Sequence, residues 1–369
     1  MPDMRHAPPR RLRIADRESG LNQVSVRSHN ERLVLSLLLQ REGLSRMEIG
    51  QISGLSAQTV SVIVRSLEAE GLILQGEAQR GRMGPPTIPL RLNPDGAFSV
   101  GISIGYRKTE VVLTDFVGSL RARATFNYTE PNLFDIHAQM PDLVQRMVAA
   151  TPKAHHSRIA GIGLAVPSDV DAWEGANTLS GRNFIGIETE LTQLTGLEVL
   201  VQNDTTAAAS AEGLFGAAKE LDDYLYLFLG ARLHQRLVLN HQIHAGQVEL
   251  PAAGREIGVL ALENRLREAG FPVDALWNGS EDWSAYAAFL DPWLDAAAAG
   301  ILSSVDEALR LVRLQTVVIA SSIPSPTLVL LHARLAAALP DVKVLLSHVA
   351  HSAKAVGAAS LPFSSRFTI

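Results

Sequence analysis

The sequence predicts an α/β protein in two parts, a winged helix-turn-helix in front of a layered α/β body. Three observations carry this. Beyond Gly96, strand-like and helix-like segments alternate, as in a sheet covered by helices. Ahead of it, residues 28–92 hold three helical patterns followed by two short β-type stretches. Charge divides at the same place: residues 1–95 carry 13 Arg, no Lys and 10 acidic residues, a net +3, whereas the remaining 20 basic and 28 acidic residues give −8. A basic front on an acidic body points to a nucleic-acid-binding module fused to something else.

Length and composition narrow the classes. A chain of 369 residues suggests two or three domains. With 47% hydrophobic and 19% charged residues it can bury a sizeable core, which excludes global disorder. The absence of cysteine excludes disulfides, thiolate metal ligation and a cysteine nucleophile. No apolar run approaches the roughly 18 residues of a membrane span, and the first 20 residues show no apolar signal region. The expectation is a soluble cytoplasmic protein without membrane contact.

Residues 1–27, with Arg-Arg-Leu-Arg beside Pro8-Pro9 and no apolar period, read as a flexible basic tail. Leu33, Val34, Leu37 and Leu38 then recur at helical spacing until Gly43. Ser45 is placed to cap a short second helix holding Met47, Ile49 and Ile52, and Gly54-Leu55 makes a tight turn. Ser56 caps a third helix with Val60, Ile63, Val64 and Leu67 on one face, ending near Gly71. Residues 72–74 and 88–92 are β-type, and the loop between them is rich in Gly, Pro and Arg. Asn93-Pro94-Asp95-Gly96 is turn chemistry and places a boundary there, giving a head of 28–95 and a body of 96–369. In the body, strands are expected at 100–105, 111–113, 159–166, 197–201, 224–229, 236–239, 316–320 and 342–346. Helices are expected at 135–150, 205–215, 257–269, 283–299, 303–314, 326–339 and from 351.

In a winged helix-turn-helix the third helix enters the major groove, so its outward face needs short polar side chains. Here that face offers Ser56, Gln58, Thr59 and Ser61, with Arg65 one turn on and within reach of phosphate. Arg80 and Arg82, held by glycines at the hairpin tip, suit a minor groove. The blander alternative is a small helical domain with a solvated face and a loop that only connects.

Residues 99–118 (SVGISIGYRKTEVVLTDFVG) have the rhythm of a strand, a glycine turn and a second strand ending in Asp-x-x-Gly. Four further segments follow in order: Gly161-Ile-Gly-Leu-Ala-Val-Pro-Ser-Asp-Val-Asp171, Asn183-Phe184, Asn203-Asp204-Thr-Thr-Ala-Ala-Ala-Ser-Ala-Glu212 and Val356-Gly-Ala-Ala. Together they resemble the ROK family (repressors, open reading frames, kinases) of the actin-like ATPase superfamily. The resemblance covers nearly everything after residue 30, because a winged helix is the usual N-terminal partner in the family's repressor branch. It implies a two-lobed actin-like ATPase fold, with lobe 1 at about 96–202 plus the final helix in 348–369 and lobe 2 at about 203–347. It implies a sugar kinase, or a sugar sensor derived from one. Asn183, Asn203 and Asp204 would contact sugar hydroxyls. Asp204 would be the general base of a kinase or a plain hydrogen-bond acceptor in a sensor. The alternative for the Asn203-Asp204 pair is a structural turn that caps the following helix.

Departures from the family pattern favour the sensor. Ser103 stands where the kinases have the Asp of Asp-x-Gly-x-Thr, and serine supplies no carboxylate for a metal. The glycine-rich phosphate turn is replaced by Gly230-Ala-Arg-Leu-His-Gln-Arg, and a later Gly-Gly turn by Ala320-Ser-Ser-Ile-Pro. The zinc-binding cysteine cluster is missing; Glu249 or Glu256 stands for the family glutamate and Glu263 for the one after its last cysteine. His234, His241 and His244 could form a substitute metal site, but without carboxylate or thiolate partners at recognisable spacing they are read as polar residues. Neither metal nor cofactor is expected. The expected partners are an operator duplex, bound by a dimer or tetramer, and a sugar or sugar-derived effector. The rivals are a sugar kinase with a DNA-binding arm, and a DNA-binding protein whose body only dimerises.

Overall fold

The computed structural model describes residues 29–78, 87–167, 183–244, 257–349 and 352–369, the side chains of 133, 134 and 183–185 excepted. The basic tail and the hairpin tip with Arg80 and Arg82 lie outside these residues.

The head contains α1 (His29–Gln40), α2 (Arg46–Ser53) and α3 (Ala57–Ala69), then an antiparallel pair of β1 (Ile73–Gln75) and β2 (Leu90–Leu92). Ser45 begins α2 with a reciprocal capping box: its Oγ accepts the Glu48 amide, and the Glu48 carboxylate accepts the Ser45 amide. Gly54 ends α2 at φ 71°, the left-handed turn that lets α3 leave in a new direction.

The body repeats one topology twice. Its first sheet comprises β3 (Phe98–Ile104), β4 (Lys108–Asp115), β5 (Leu120–Asn127), β6 (Ile159–Val166) and β7 (Val199–Asn203), ordered β5-β4-β3-β6-β7. The second comprises β8 (Tyr224–Leu229), β9 (Leu233–Leu239), β10 (Gln242–His244), β11 (Thr316–Ser321) and β12 (Lys343–Leu346), ordered β10-β9-β8-β11-β12. In each, three antiparallel strands are followed by a fourth that pairs parallel with the first and a fifth that pairs parallel with the fourth. The outer face of the first sheet is buried by α4 (Leu133–Ala150) and α5 (Asn183–Thr195). That of the second is buried by α7 (Val259–Glu268), α8 (Ala287–Leu311) and α9 (Ser325–Ala338).

Between the sheets lie α6 (Asp204–Phe215) and α10 (Ala353–Arg366), both rich in alanine and serine. Small residues let these helices approach backbone to backbone. A Cβ on Gly357 would stand 1.8 Å from the Ala207 carbonyl oxygen. The far end of α10 reaches the head. Phe363 and Phe367 pack on Phe116 at ring-centroid separations of 5.5 and 4.9 Å, and Arg32 of α1 donates to the carbonyls of Ser364 and Thr368. Phe116, Ala160 and Phe363 belong to the same buried cluster as Leu35, Leu38, Val64 and Leu67, so head and body share one core.

Three sequence expectations are corrected. The helices expected at 283–299 and 303–314 are one helix, α8, and residues 284–286 ahead of it form a 3-10 turn. Gly300, the apparent break, is interior because Ile257 packs onto it: Ile257 Cδ1 would lie 2.4 Å from a Cβ there. Two strands were not anticipated, β5 and β10. The first does alternate as Leu-Arg-Ala-Arg-Ala-Thr-Phe-Asn, the period of a half-buried edge strand, whereas three residues are too few for a periodic signal.

Candidate functional site

Of the site residues singled out by the sequence, the described ones lie in three places: Ser56, Gln58, Thr59, Ser61 and Arg65 on the head, Asn203 and Asp204 at the β7–α6 junction, and Glu263 on α7. On the head, α3 buries Val60, Ile63, Val64 and Leu67, whose spacing makes one apolar stripe. Its other side meets solvent. Ser56 Oγ accepts the Thr59 amide at 3.1 Å and lies 2.8 Å from Thr59 Oγ1, so these two hydroxyls are engaged with the start of the helix. Ser61 Oγ donates to the Ala57 carbonyl at 2.8 Å, and Arg65 Nε to the Ser61 carbonyl at 3.2 Å. Gln58 and Arg65 remain the exposed long side chains of this face. Val62, 53% exposed beside them, adds an apolar contact surface that the sequence reading overlooked.

Between the lobes, Asn203 ends β7 and Asp204 opens α6. Asn203 Oδ1 accepts the amides of Thr205 and Thr206, both at 3.1 Å, and also the guanidinium of Arg236 on β9. Asn203 is therefore the cap of α6 and a partner of Arg236. Arg236 Nε donates to Thr206 Oγ1 at 2.8 Å, and its Nη1 to the Gln235 carbonyl at 2.6 Å. Asp204 is buried, accepts the Thr205 hydroxyl at 3.1 Å and forms an ion pair with Lys354 in the first turn of α10. Burial pushes the Asp204 carboxyl up, but the Lys354 ammonium, His234 and the hydrogen bonds from Lys354 and Thr205 together bring it below the usual carboxylate range. The Lys354 amine also sits 4.5 Å from the centroid of the Phe228 ring.

Strands β3 and β4 lie against the start of α10 beside this pair. Ser103 is buried and stands opposite Glu110 in the antiparallel register. Glu110 pairs with Arg123 at 2.5 Å and accepts the Ser352 hydroxyl at 3.1 Å. Lys108, two residues before Glu110, shares its side of the strand. Burial lowers the Lys108 ammonium's pKa; Glu110 opposes this, while Arg123 and Lys354 add to it. Sequence reading passed over Lys108, Glu110, Arg236 and Lys354. Their signal is charge where a buried strand or an alanine-rich helix should have none.

Glu263 has other work. Its Oε1 accepts from Arg107 at 2.5 Å and from Arg267 at 2.9 and 2.7 Å, and its Oε2 accepts the Trp277 indole N–H at 2.8 Å. Arg107, in the β3–β4 turn, lies over the rings of Tyr106 and Trp277 at 5.0 and 5.8 Å. Glu263 thus ties the β3–β4 turn to α7 and Trp277 with both carboxylate oxygens occupied. In the β8–β9 turn, the carbonyls of Gly230 and Ala231 accept the Val259 and Leu260 amides at 2.9 and 3.2 Å. The first amides of α7 are spent there and do not point at open space.

Asn183 opens α5, with its side chain outside the described residues, as are Glu249 and Glu256. His241 pairs with Asp222 at 2.8 Å, His234 lies near Asp204, and His244 ends β10. Among the described residues no group of three or more His, Asp or Glu side chains is placed to hold a metal, and no helix is long and apolar enough to cross a membrane.

Comparison with known proteins agrees with this architecture. Residues 99–258 match the sequence model of the ROK family, and residues 28–82 that of the MarR family. The chain is 26% identical over 231 residues to the xylose repressor of Bacillus subtilis (strain 168), covering 61% of this chain and 59% of that protein. It is 21% identical over 254 residues to the DNA-binding transcriptional repressor Mlc of Escherichia coli (strain K12), covering 65% and 60%. The matched stretch thus spans less than two thirds of these relatives' length. Among solved structures, a ROK family transcriptional regulator homologous to Escherichia coli Mlc superposes with TM-score 0.63 at 18% identity, over 92% of this chain and 97% of that one. A ROK family glucokinase from Streptomyces griseus superposes with TM-score 0.53 at 17% identity, over 72% and 99%. At these identities the superpositions speak for the fold, a helix-turn-helix head on a two-lobed sugar-kinase-like body.

Proposed function

We propose that this chain, whose residues 99–258 match the sequence model of the ROK family, is a sugar-responsive transcriptional repressor that works in the cytoplasm and whose kinase-like body performs no phosphoryl transfer. The functional units are a head of 28–95 and a body of 96–369, with lobe 1 at about 96–202 plus 348–369 and lobe 2 at about 203–347. The head would read an operator as a dimer through Gln58 and Arg65 on α3, with Ser56, Thr59 and Ser61 beside them and Arg80 and Arg82 reaching an adjacent minor groove. Half-sites would lie one or two helical turns apart, roughly 10 bp each.

The observation that carries the sensor reading is the Lys354–Asp204 ion pair. A general base needs a free lone pair and enough basicity to take the hydroxyl proton, whereas both oxygens of this buried carboxylate are engaged, by Thr205 and Lys354, and the ammonium lowers its basicity. Ser103 and the occupied Gly230–Ala231 turn point the same way, since neither supplies a metal ligand nor a phosphate cradle. In a sensor, Asp204, Asn203 and Asn183 would bind sugar hydroxyls, Glu256 and Glu263 would border the pocket, and a ligand would shift the head only through unequal affinity for two lobe arrangements.

The test has two arms. Genomic fragments retained by the full chain are sequenced, and binding to the recovered duplex is titrated with and without glucose and xylose. Selective binding that a sugar weakens supports the reading, and binding that no salt concentration makes sequence-selective overturns it. ATP-dependent phosphorylation of either sugar above background would instead favour a kinase with a DNA-binding arm, in keeping with the glucokinase-like body.

A further inference from the structure

The proposed sugar site carries more positive charge than a neutral sugar needs. Asp204 is compensated by Lys354 and Glu110 by Arg123. Two cations are then left over. Lys108 makes no ion pair among the described residues, and Arg236 spends its donors on the neutral acceptors Asn203, Thr206 and Gln235. Both are partly buried, and burial disfavours the charged form of each. For Arg236 only Asp204, already paired with Lys354, favours the charged form; for Lys108 Glu110, already paired with Arg123, favours it, while Arg123 and Lys354 repel it. Such an excess is costly unless something negative arrives to meet it. It is a local feature, because residues 96–369 as a whole carry a net charge of −8.

The groups come from separate elements and converge. Lys108 lies on β4, Lys354 on the first turn of α10, Asn203 and Asp204 at the junction of β7 and α6, and Arg236 on β9. Cations and hydroxyl-binding groups are interleaved here, with Lys354 against Asp204 and Arg236 against Asn203.

We infer that the effector of this site is an anionic sugar, a carbohydrate bearing a carboxylate or a phosphate ester, whose negative group is received by Lys108 and Lys354 while Asn203 and Asp204 hold its hydroxyls. This rests on the sugar-sensing role proposed above and narrows its ligand. The carboxylate and the phosphate ester share the chemistry, a compact anion accepting charge-assisted hydrogen bonds from two ammonium groups.

Calorimetric titration of the full chain tests it, with glucose and xylose, their aldonic and uronic acids, their phosphate esters, and inorganic phosphate. At least one acid or ester should bind ten-fold or more tighter than its neutral parent, and which series does so identifies the anion. Lys108→Gln should weaken that compound by roughly ten- to a hundred-fold, the loss of a charged hydrogen bond, while leaving the neutral parent within about two-fold. Lys354→Gln should act likewise, but Lys108 is the decisive variant because it leaves the Asp204 ion pair in place. Neutral sugars binding as tightly as their anions, unchanged affinity in Lys108→Gln, or inorganic phosphate matching the sugar phosphate would each overturn the inference. Operator binding followed in the same samples separates the two failures. Release by a neutral sugar retains the sensor and removes its anionic ligand, whereas a panel in which nothing binds or releases the operator removes both.

Discussion

Lys354 and Asp204 show how much one buried pair decides. Asp204 is held below the ordinary carboxylate range, so its contribution to stability is present above the unfolded pKa and is lost as pH falls through the folded one. Replacing Lys354 with Met removes the dominant attraction and leaves burial in control, so the carboxyl in the variant titrates above its unfolded value. Its stabilising effect there is confined to low pH and disappears as pH rises. The stability gap between the parent and Lys354→Met should therefore widen from pH 4 to pH 7, reaching about 3–5 kcal/mol by urea unfolding. A gap that is constant with pH would mean that Asp204 does not depend on Lys354. On the head, Arg65→Ala should weaken binding to all duplexes alike and reduce the slope of log affinity against log salt by about one, whereas Gln58→Ala should change the preferred base at a cost of about 1–3 kcal/mol. Anisotropy titrations across salt and across single-base variants of the operator distinguish the two effects.

At the scale of elements, α6 and α10 pack through small residues rather than through large interdigitating ones. Gly357→Ala would drive a methyl group into the Ala207 carbonyl, and neither helix can yield because sheets lie on both sides. A loss of about 3 kcal/mol or more is expected, the upper end for overpacking. Gly54→Ala tests the contrast. That position has open space but positive φ, so the cost should be about 1–2 kcal/mol and fall on the turn between α2 and α3. Thermal unfolding of both variants ranks them, and a Gly357→Ala protein as stable as Gly54→Ala would refute the close approach.

Across the whole molecule, α10 joins the cleft to the head: Lys354 meets Asp204 at one end, and Phe363, Phe367 and the Thr368 carbonyl meet Phe116 and Arg32 at the other. Fourteen helical residues span about 21 Å. Since head and body share a core, calorimetry should show a single transition, and Phe367→Ala should lower it for both parts together by about 2 kcal/mol or more, less than the 3–5 of a fully buried phenylalanine. Two resolved transitions would contradict the shared core.

Local signals in the sequence determined the head. The Ser45 and Ser56 caps, the Gly54 turn and the apolar stripe of α3 each involve residues a few positions apart, so their physics is complete within one segment. The strands of the body other than β5 and β10 were legible for the same reason, and Asn203-Asp204 stood out by type and order. The partners of that pair were not legible. Lys354 is 150 positions from Asp204 and Arg236 is 33 from Asn203, and only folding brings them together. Glu263, expected beside the pocket, is gripped by Arg107, 156 positions away, a partner that the sequence does not reveal. The run of residues along the chain settles which side chains are available, but whether a carboxylate is free, neutralised or spent depends on which distant charge the tertiary structure sets beside it, because electrostatic energy depends on distance in space and burial rather than on separation in sequence.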